Sequence, residues 1–162
     1  MSDDGFVRKR ATALLGEGRE SQRRGDLDRA VELYSKALGM YPTAEAYTHR
    51  GWARAAGHRY EEAIADCEEA IRVDDTLGNP YNDIGSYLVK LGRVDEGVAW
   101  FERAKHARRY ETPHFPYLNL ARVFALRGQM HRAIAELEAA LAVRPGEPSC
   151  VRALWALRAA LN

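Results

Sequence analysis

Five histidines and two cysteines are the residues of this 162-residue sequence best suited to metal or nucleophile chemistry, and their spacing argues against both. His49, His58, His106, His114 and His131 include no pair at metal-ligand spacing on a helix, and neither Cys67 nor Cys150 belongs to a CxxC. No GxxxxGK phosphate loop and no dinucleotide fingerprint behind a strand is present, and no strand is predicted. Carboxylates crowd Glu61, Glu62, Asp66, Glu68 and Glu69, but helical spacing puts them opposite Ala63, Ile64, Cys67, Ala70 and Ile71. That is the expected solvated side of an amphipathic helix, not an acid–base pair. The reading is a non-enzyme without cofactor or metal, in which Cys67 is a small buried thiol.

Composition narrows the partners. Lys plus Arg at 24 against Asp plus Glu at 23 leaves almost no net charge, so bulk attraction to nucleic acid or an anionic membrane is not expected. Arg8, Lys9, Arg10, Arg19, Arg23 and Arg24 are interleaved with acids and not with stacking aromatics, which argues against nucleic acid again. Met1 to Gly5 is short, polar and acidic, and no long apolar run follows, so neither a signal peptide nor a membrane span is expected and a cytoplasmic location is.

The elements that would position any site come from a repeat. Ala30, Ala63, Gly97 and Ala133 recur at intervals of 33, 34 and 36. Four residues after each stand Tyr34, Cys67, Phe101 and Leu137, and seven after stand Ala37, Ala70, Ala104 and Ala140. A small side chain every seven residues lets helix backbones approach closely while larger ones fill the surrounding space. Gly97 costs about 1 kcal/mol of helix propensity relative to alanine, so it marks a tight contact. Breakers and caps place helices over about Phe6 to Arg24, Leu27 to Met40, Ala44 to Ala56 and Arg59 to Val73, with Asn79 as an N-cap before Pro80.

The eight positions Tyr117, Leu120, Ala121, Phe124, Ala133, Leu137, Ala140 and Pro145 resemble the hallmark of the tetratricopeptide repeat (TPR) family. The resemblance covers about Ala11 to Pro145, with departures at Glu17 and Ser21 and at Arg50 and Arg54, where looser packing is expected. It implies an all-α, right-handed α-solenoid of nine helices in a single domain, 1–162. The repeats fall at about 11–43, 44–77, 78–113 and 114–147, and a capping helix at 148–161. The third is lengthened by a basic run, Lys105 to Arg109, which offsets a helix dipole, and by the connector after it.

In such a stack the first helix of each pair lines a concave groove. The groove positions are then Arg19, Gln22 and Arg23; His49 and Trp52; Asn79, Asn82, Asp83, Ser86 and Lys90; and Phe115, Leu118, Asn119 and Arg122. Amides such as Asn82 and Asn119 both donate and accept, which suits the main chain of an extended peptide. Trp52 is either its anchor or packs sideways on the next helix. The expected function is therefore a protein-interaction module, an adaptor or scaffold that binds a peptide segment of a partner.

Family members that grip a chaperone's terminal carboxylate do so with Lys, Asn and Arg. The corresponding places here read Leu15, Arg19, His49, Asn79 and Asp83, or one repeat later Thr48, Trp52, Asp83, Phe115 and Asn119. Neither set fits, and Asp83 would repel a carboxylate. The run Tyr81 to Leu88 is similar to bacterial TPR proteins, including pilus-biogenesis lipoproteins, which carry a signal peptide and a lipidated cysteine not found here; a pilus or secretion accessory role is the alternative this likeness suggests.

In the last helix Val151, Leu154 and Trp155 are expected to cover the fourth pair. Ala153, Ala156, Leu157, Ala160 and Leu161 leave a second apolar side. It is either merely tolerated or a homodimer contact through Leu157 and Leu161, which would make the protein a structural subunit.

Overall fold

Apolar stripes at helical spacing, punctuated by turn residues, fold as pairs of antiparallel helices whose stripes face one another. A computed structural model describes the backbone of residues 3–161 and the side chains of residues 4–161; the first residues of the acidic N-terminal stretch and the last residue lie outside it. Among the described residues there are nine helices: α1 (Asp3–Arg23), α2 (Leu27–Met40), α3 (Ala44–Ala56), α4 (Tyr60–Val73), α5 (Gly78–Lys90), α6 (Val94–Ala104), α7 (Phe115–Leu126), α8 (Met130–Val143) and α9 (Pro148–Ala160). They stack as four hairpins and a final helix, and the odd-numbered helices α1, α3, α5 and α7 also touch in sequence. Each hairpin turn needs one left-handed residue. Gly25, Gly92 and Gly128 supply it at φ of 80°, 80° and 72°, whereas in the second repeat it falls on His58 at φ 61°.

The core is continuous with the repeat columns. Ala30, Ala63, Ala133, Cys67, Phe101, Leu137 and the column Ala37, Ala70, Ala104, Ala140 are all buried. The expected contact at Gly97 is present: a Cβ there would lie 2.8 Å from the Gly85 carbonyl oxygen. Burial also pushes the Cys67 thiol well above its ordinary pKa, as an inert core cysteine requires.

Several expectations need correction. Asp66 is not on a solvated face but is 2% exposed, because Arg50 and Arg54 of α3 turn inward to meet it. The Arg50 Nη2 and Arg54 Nη1 atoms donate to its two oxygens at 2.7 and 2.8 Å, and Arg50 Nη1 reaches Ser35 of α2 at 3.0 Å. The two arginines that break the apolar pattern therefore do not loosen the second pair; they tie three helices together. Asn79 is not the cap of α5, which starts one residue earlier behind Leu77. The Gly78 N–H donates instead to the Arg109 carbonyl at 3.0 Å, and the Arg109 N–H to the Thr76 carbonyl at 2.9 Å. A backbone bridge replaces a side-chain cap, because the lengthened connector folds back onto the α4–α5 turn and satisfies the free donor.

The basic run divides accordingly: Lys105, at the end of α6, pairs with Glu102 and Glu136, while Arg109 leaves that helix for Asp74 and Glu45. In α9 the sealing stripe is Cys150, Ala153, Leu154 and Leu157 packed on the fourth pair, while Trp155 is 74% exposed. Leu157 thus belongs largely to the core, and of the pair expected to meet a second copy only Leu161 faces outward.

Candidate functional site

The side chains projecting from the odd-numbered helices build a polar face whose members hold one another. On α1, Gln22 accepts a hydrogen bond from the Tyr34 hydroxyl at 2.8 Å. The His49 ring of α3 stacks on Tyr34 with centroids 5.8 Å apart, and meets the Trp52 ring edge-on at 4.8 Å. Trp52 Nε1 in turn donates to Asp83 Oδ2 of α5 at 2.6 Å. Trp52 therefore does reach sideways to the next helix, by its polar edge, and its half-buried ring still borders open space.

Two adjoining depressions open on this face. The first, about 620 Å³, is lined by Gly16, Arg19, Glu20, Gln22, Arg23, His49 and Trp52. The second, about 390 Å³, shares Arg19, His49 and Trp52 and adds Glu45, Thr48, Leu77, Asn79, Arg109 and Glu111. Six of the residues singled out from the sequence thus come together here: Arg19, Gln22, Arg23, His49, Trp52 and Asn79. Arg109, expected only to offset a helix dipole, and Glu111, in the connector after it, form a wall of the second depression. The 36-residue interval of the third repeat was the available signal, since surplus residues in a solenoid connector must lie against something.

The remaining residues are placed otherwise. Asn82 is 6% exposed, and its Oδ1 accepts from Asn119 Nδ2 of α7 at 3.0 Å, so it is not the free groove amide expected of it. Close packing of α5 on α7 draws the two amides together. Ser86 donates back to the Asn82 carbonyl at 3.1 Å. Leu118 is buried in the core, not on the groove. Phe115 is exposed, and Arg122 reaches only the Asn119 Oδ1, at 3.4 Å; neither borders the two depressions.

Electrostatics follow from this burial. His49 is pushed down to about 4, first by burial and then by Arg19, so the imidazole is neutral at neutral pH. Asp83 is pushed up to about 7 by burial, against the opposing hydrogen bonds from Trp52 and Asn82. A carboxyl raised above its ordinary value of 3.8 holds its proton more tightly folded than unfolded, so its contribution to stability is lost as pH rises from about 4 to about 7. Asp83→Asn is therefore expected to gain in thermal midpoint relative to the unmutated protein at pH 8 and much less at pH 5. Paired melts check this, and His49, present in both proteins, cancels from the comparison.

Among the described residues no group of three or more His, Cys, Asp or Glu side chains can hold a metal ion, and no helix is long and apolar enough to cross a membrane.

The comparisons with known proteins agree with this architecture. A family model described as tetratricopeptide repeat matches residues 15–76. A TPR repeat-containing thioredoxin of Arabidopsis thaliana is 32% identical over 96 residues, 59% of this chain and 13% of that protein. The matched region thus spans a small part of the length of such relatives. The structure of Pseudomonas aeruginosa PilF superposes with a TM-score of 0.81 at 20% identity, covering 96% of this chain and 69% of that one. The second TPR of Spaghetti (RPAP3), bound to the HSP90 peptide SRMEEVD, matches with a TM-score of 0.59 at 25% identity over 62% of this chain and 94% of that one. With four helical pairs in register and a final helix, the described residues have the fold of tetratricopeptide repeat proteins, and residues 15–76 match that family's model.

Proposed function

We propose that this protein is an adaptor that binds an extended segment of a partner protein in the depressions between α1, α3 and α5. One observation carries the reading: two adjoining hollows on the face of the odd-numbered helices share a Trp52 ring whose polar edge is already taken by Asp83. An indole so held offers an apolar surface with little freedom left to lose, which is how binding hot spots are built. The RPAP3 domain, a neighbour in fold that carries a bound peptide, supports the mode of binding. It does not supply the ligand, since a neutral His49 and an acidic Asp83 stand where a carboxylate grip needs amide and cation.

The test is selection of peptides from a random display library on the full chain, followed by titration of the selected peptides against Trp52→Ala. Removal of an aromatic anchor is expected to weaken them by a factor of about 30, with the far-ultraviolet circular dichroism unchanged. Equal affinity for the variant and the unmutated protein would refute the groove.

A further inference from the structure

The charges around the two depressions leave one cation and one anion over. Glu20 takes both Arg23 and Arg24, and Glu45 shares Arg109 with Asp74. Among the described residues that leaves the Arg19 guanidinium and the Glu111 carboxylate as the lining charges with no ionic partner. Both are exposed, and both line the second depression. The same depression is lined by the neutral His49, the Trp52 ring and Leu77.

The Glu111 side is firmly built. Its main-chain carbonyl accepts from Arg144 Nη1 at 3.0 Å. The preceding Tyr110 ring lies over Gly78, so closely that a Cβ on that glycine would sit 2.4 Å from it, and Arg109 is bridged by backbone hydrogen bonds to Thr76 and Gly78. The connector is thus fixed at three consecutive residues, and Glu111 is held at the wall of a depression whose other boundary, on α1, carries Arg19.

We infer, resting on the groove reading above, that the partner segment is of mixed charge: an acidic residue opposite Arg19, an apolar residue on Trp52, and a basic residue opposite Glu111. The connector acts as a selectivity wall. It rewards the basic residue, and the opposed signs set the direction in which the segment lies. A purely acidic segment meets Arg19 favourably but is repelled by Glu111, and a purely basic one suffers the converse.

The experiment uses the full chain and fluorescently labelled octapeptides. One Glu and one Lys are separated by one to four leucine or serine residues, in both orders, and control peptides carry Glu only or Lys only. The best mixed-charge peptide is expected to bind about fivefold more tightly than either control, as partly solvated charge pairs allow. Arg19→Glu and Glu111→Lys should each abolish that preference. The double variant should restore it with the opposite order of charges, an outcome that mere loss of stability cannot mimic.

Glu-only peptides binding as tightly as mixed ones, with Glu111→Lys silent, would overturn the wall while leaving the groove intact, provided that Trp52→Ala still weakens binding. If Trp52→Ala also has no effect on peptides that bind, the groove reading fails with it. If no peptide of the set binds the unmutated protein while library-selected peptides do, the mixed-charge assignment alone is overturned.

Discussion

Asp66→Ala is expected to destabilise the protein by about 3 kcal/mol, the lower end of what removing one partner from a buried charge cluster costs, read as a fall in the urea midpoint. The reason is asymmetry. In the folded protein one carboxylate, 2% exposed, receives charge-assisted hydrogen bonds from Arg50 and Arg54, whose side chains are 18% and 17% exposed. Without it two largely buried guanidinium groups remain in the α3–α4 seam, and the long 3.7 Å approach of Arg54 to the half-exposed Glu62 carboxylate does not replace what is lost.

The same principle says that the cluster itself adds little over well-packed apolar side chains. The triple substitution Arg50→Leu, Arg54→Tyr and Asp66→Leu, which gives the seam the apolar character of the third repeat at Ile84, Leu88 and Trp100, should therefore recover most of the loss. A deficit under about 1 kcal/mol for Asp66→Ala would mean that water reaches the arginines and that the cluster is no more than a surface ion pair.

Gly97→Ala is expected to cost about 1–2 kcal/mol even though alanine is the better helix former by about 1 kcal/mol. A Cβ at Gly97 would stand 2.8 Å from the Gly85 carbonyl oxygen and 2.9 Å from Val89 Cγ2. The first of these is helix backbone, which can yield only by separating α5 from α6 along its length, and the contacts of Phe101 with Gly85 would open with it. Gly16→Ala is the control. That glycine lies within α1 with nothing within 4 Å of the would-be Cβ, so the propensity gain of up to about 1 kcal/mol should appear undiminished. Thermal or urea unfolding of the two variants should shift in opposite directions; a stabilised Gly97→Ala would show that the helices can part at no cost.

These seams also show how far periodicity could be read. The residues three after each small column member are Leu33, Asp66, Trp100 and Glu136. Leu33 and Trp100 belong to an inward column, and the two acids in it follow the same direction: Asp66 is met by Arg50 and Arg54, and Glu136 by Lys105. Judged by charge, Asp66 looked solvated. Judged by column, it pointed inward, and the two arginines that broke the pattern on the facing helix were its counterpart. The helix limits of α2 and α3 were likewise legible from caps and breakers, whereas the start of α5 was not, since its first donor is satisfied by Arg109, 31 residues further along the chain.

By itself the sequence determined the number of helices, the hairpin repeat and its small-residue contacts, because each follows from a period of about 34 residues written into local side-chain size. It also placed Arg19, His49 and Trp52 on one face, since residues at equivalent points of stacked repeats must line up. Which of the polar residues on that face stay available was decided only by the tertiary structure. Asn82 is consumed by Asn119 and the indole N–H by Asp83, while Glu111 is brought to the second depression by a connector that crosses to another repeat. Hydrogen-bond partners and charge neutralisation depend on atoms far apart in the chain, which no periodic pattern encodes.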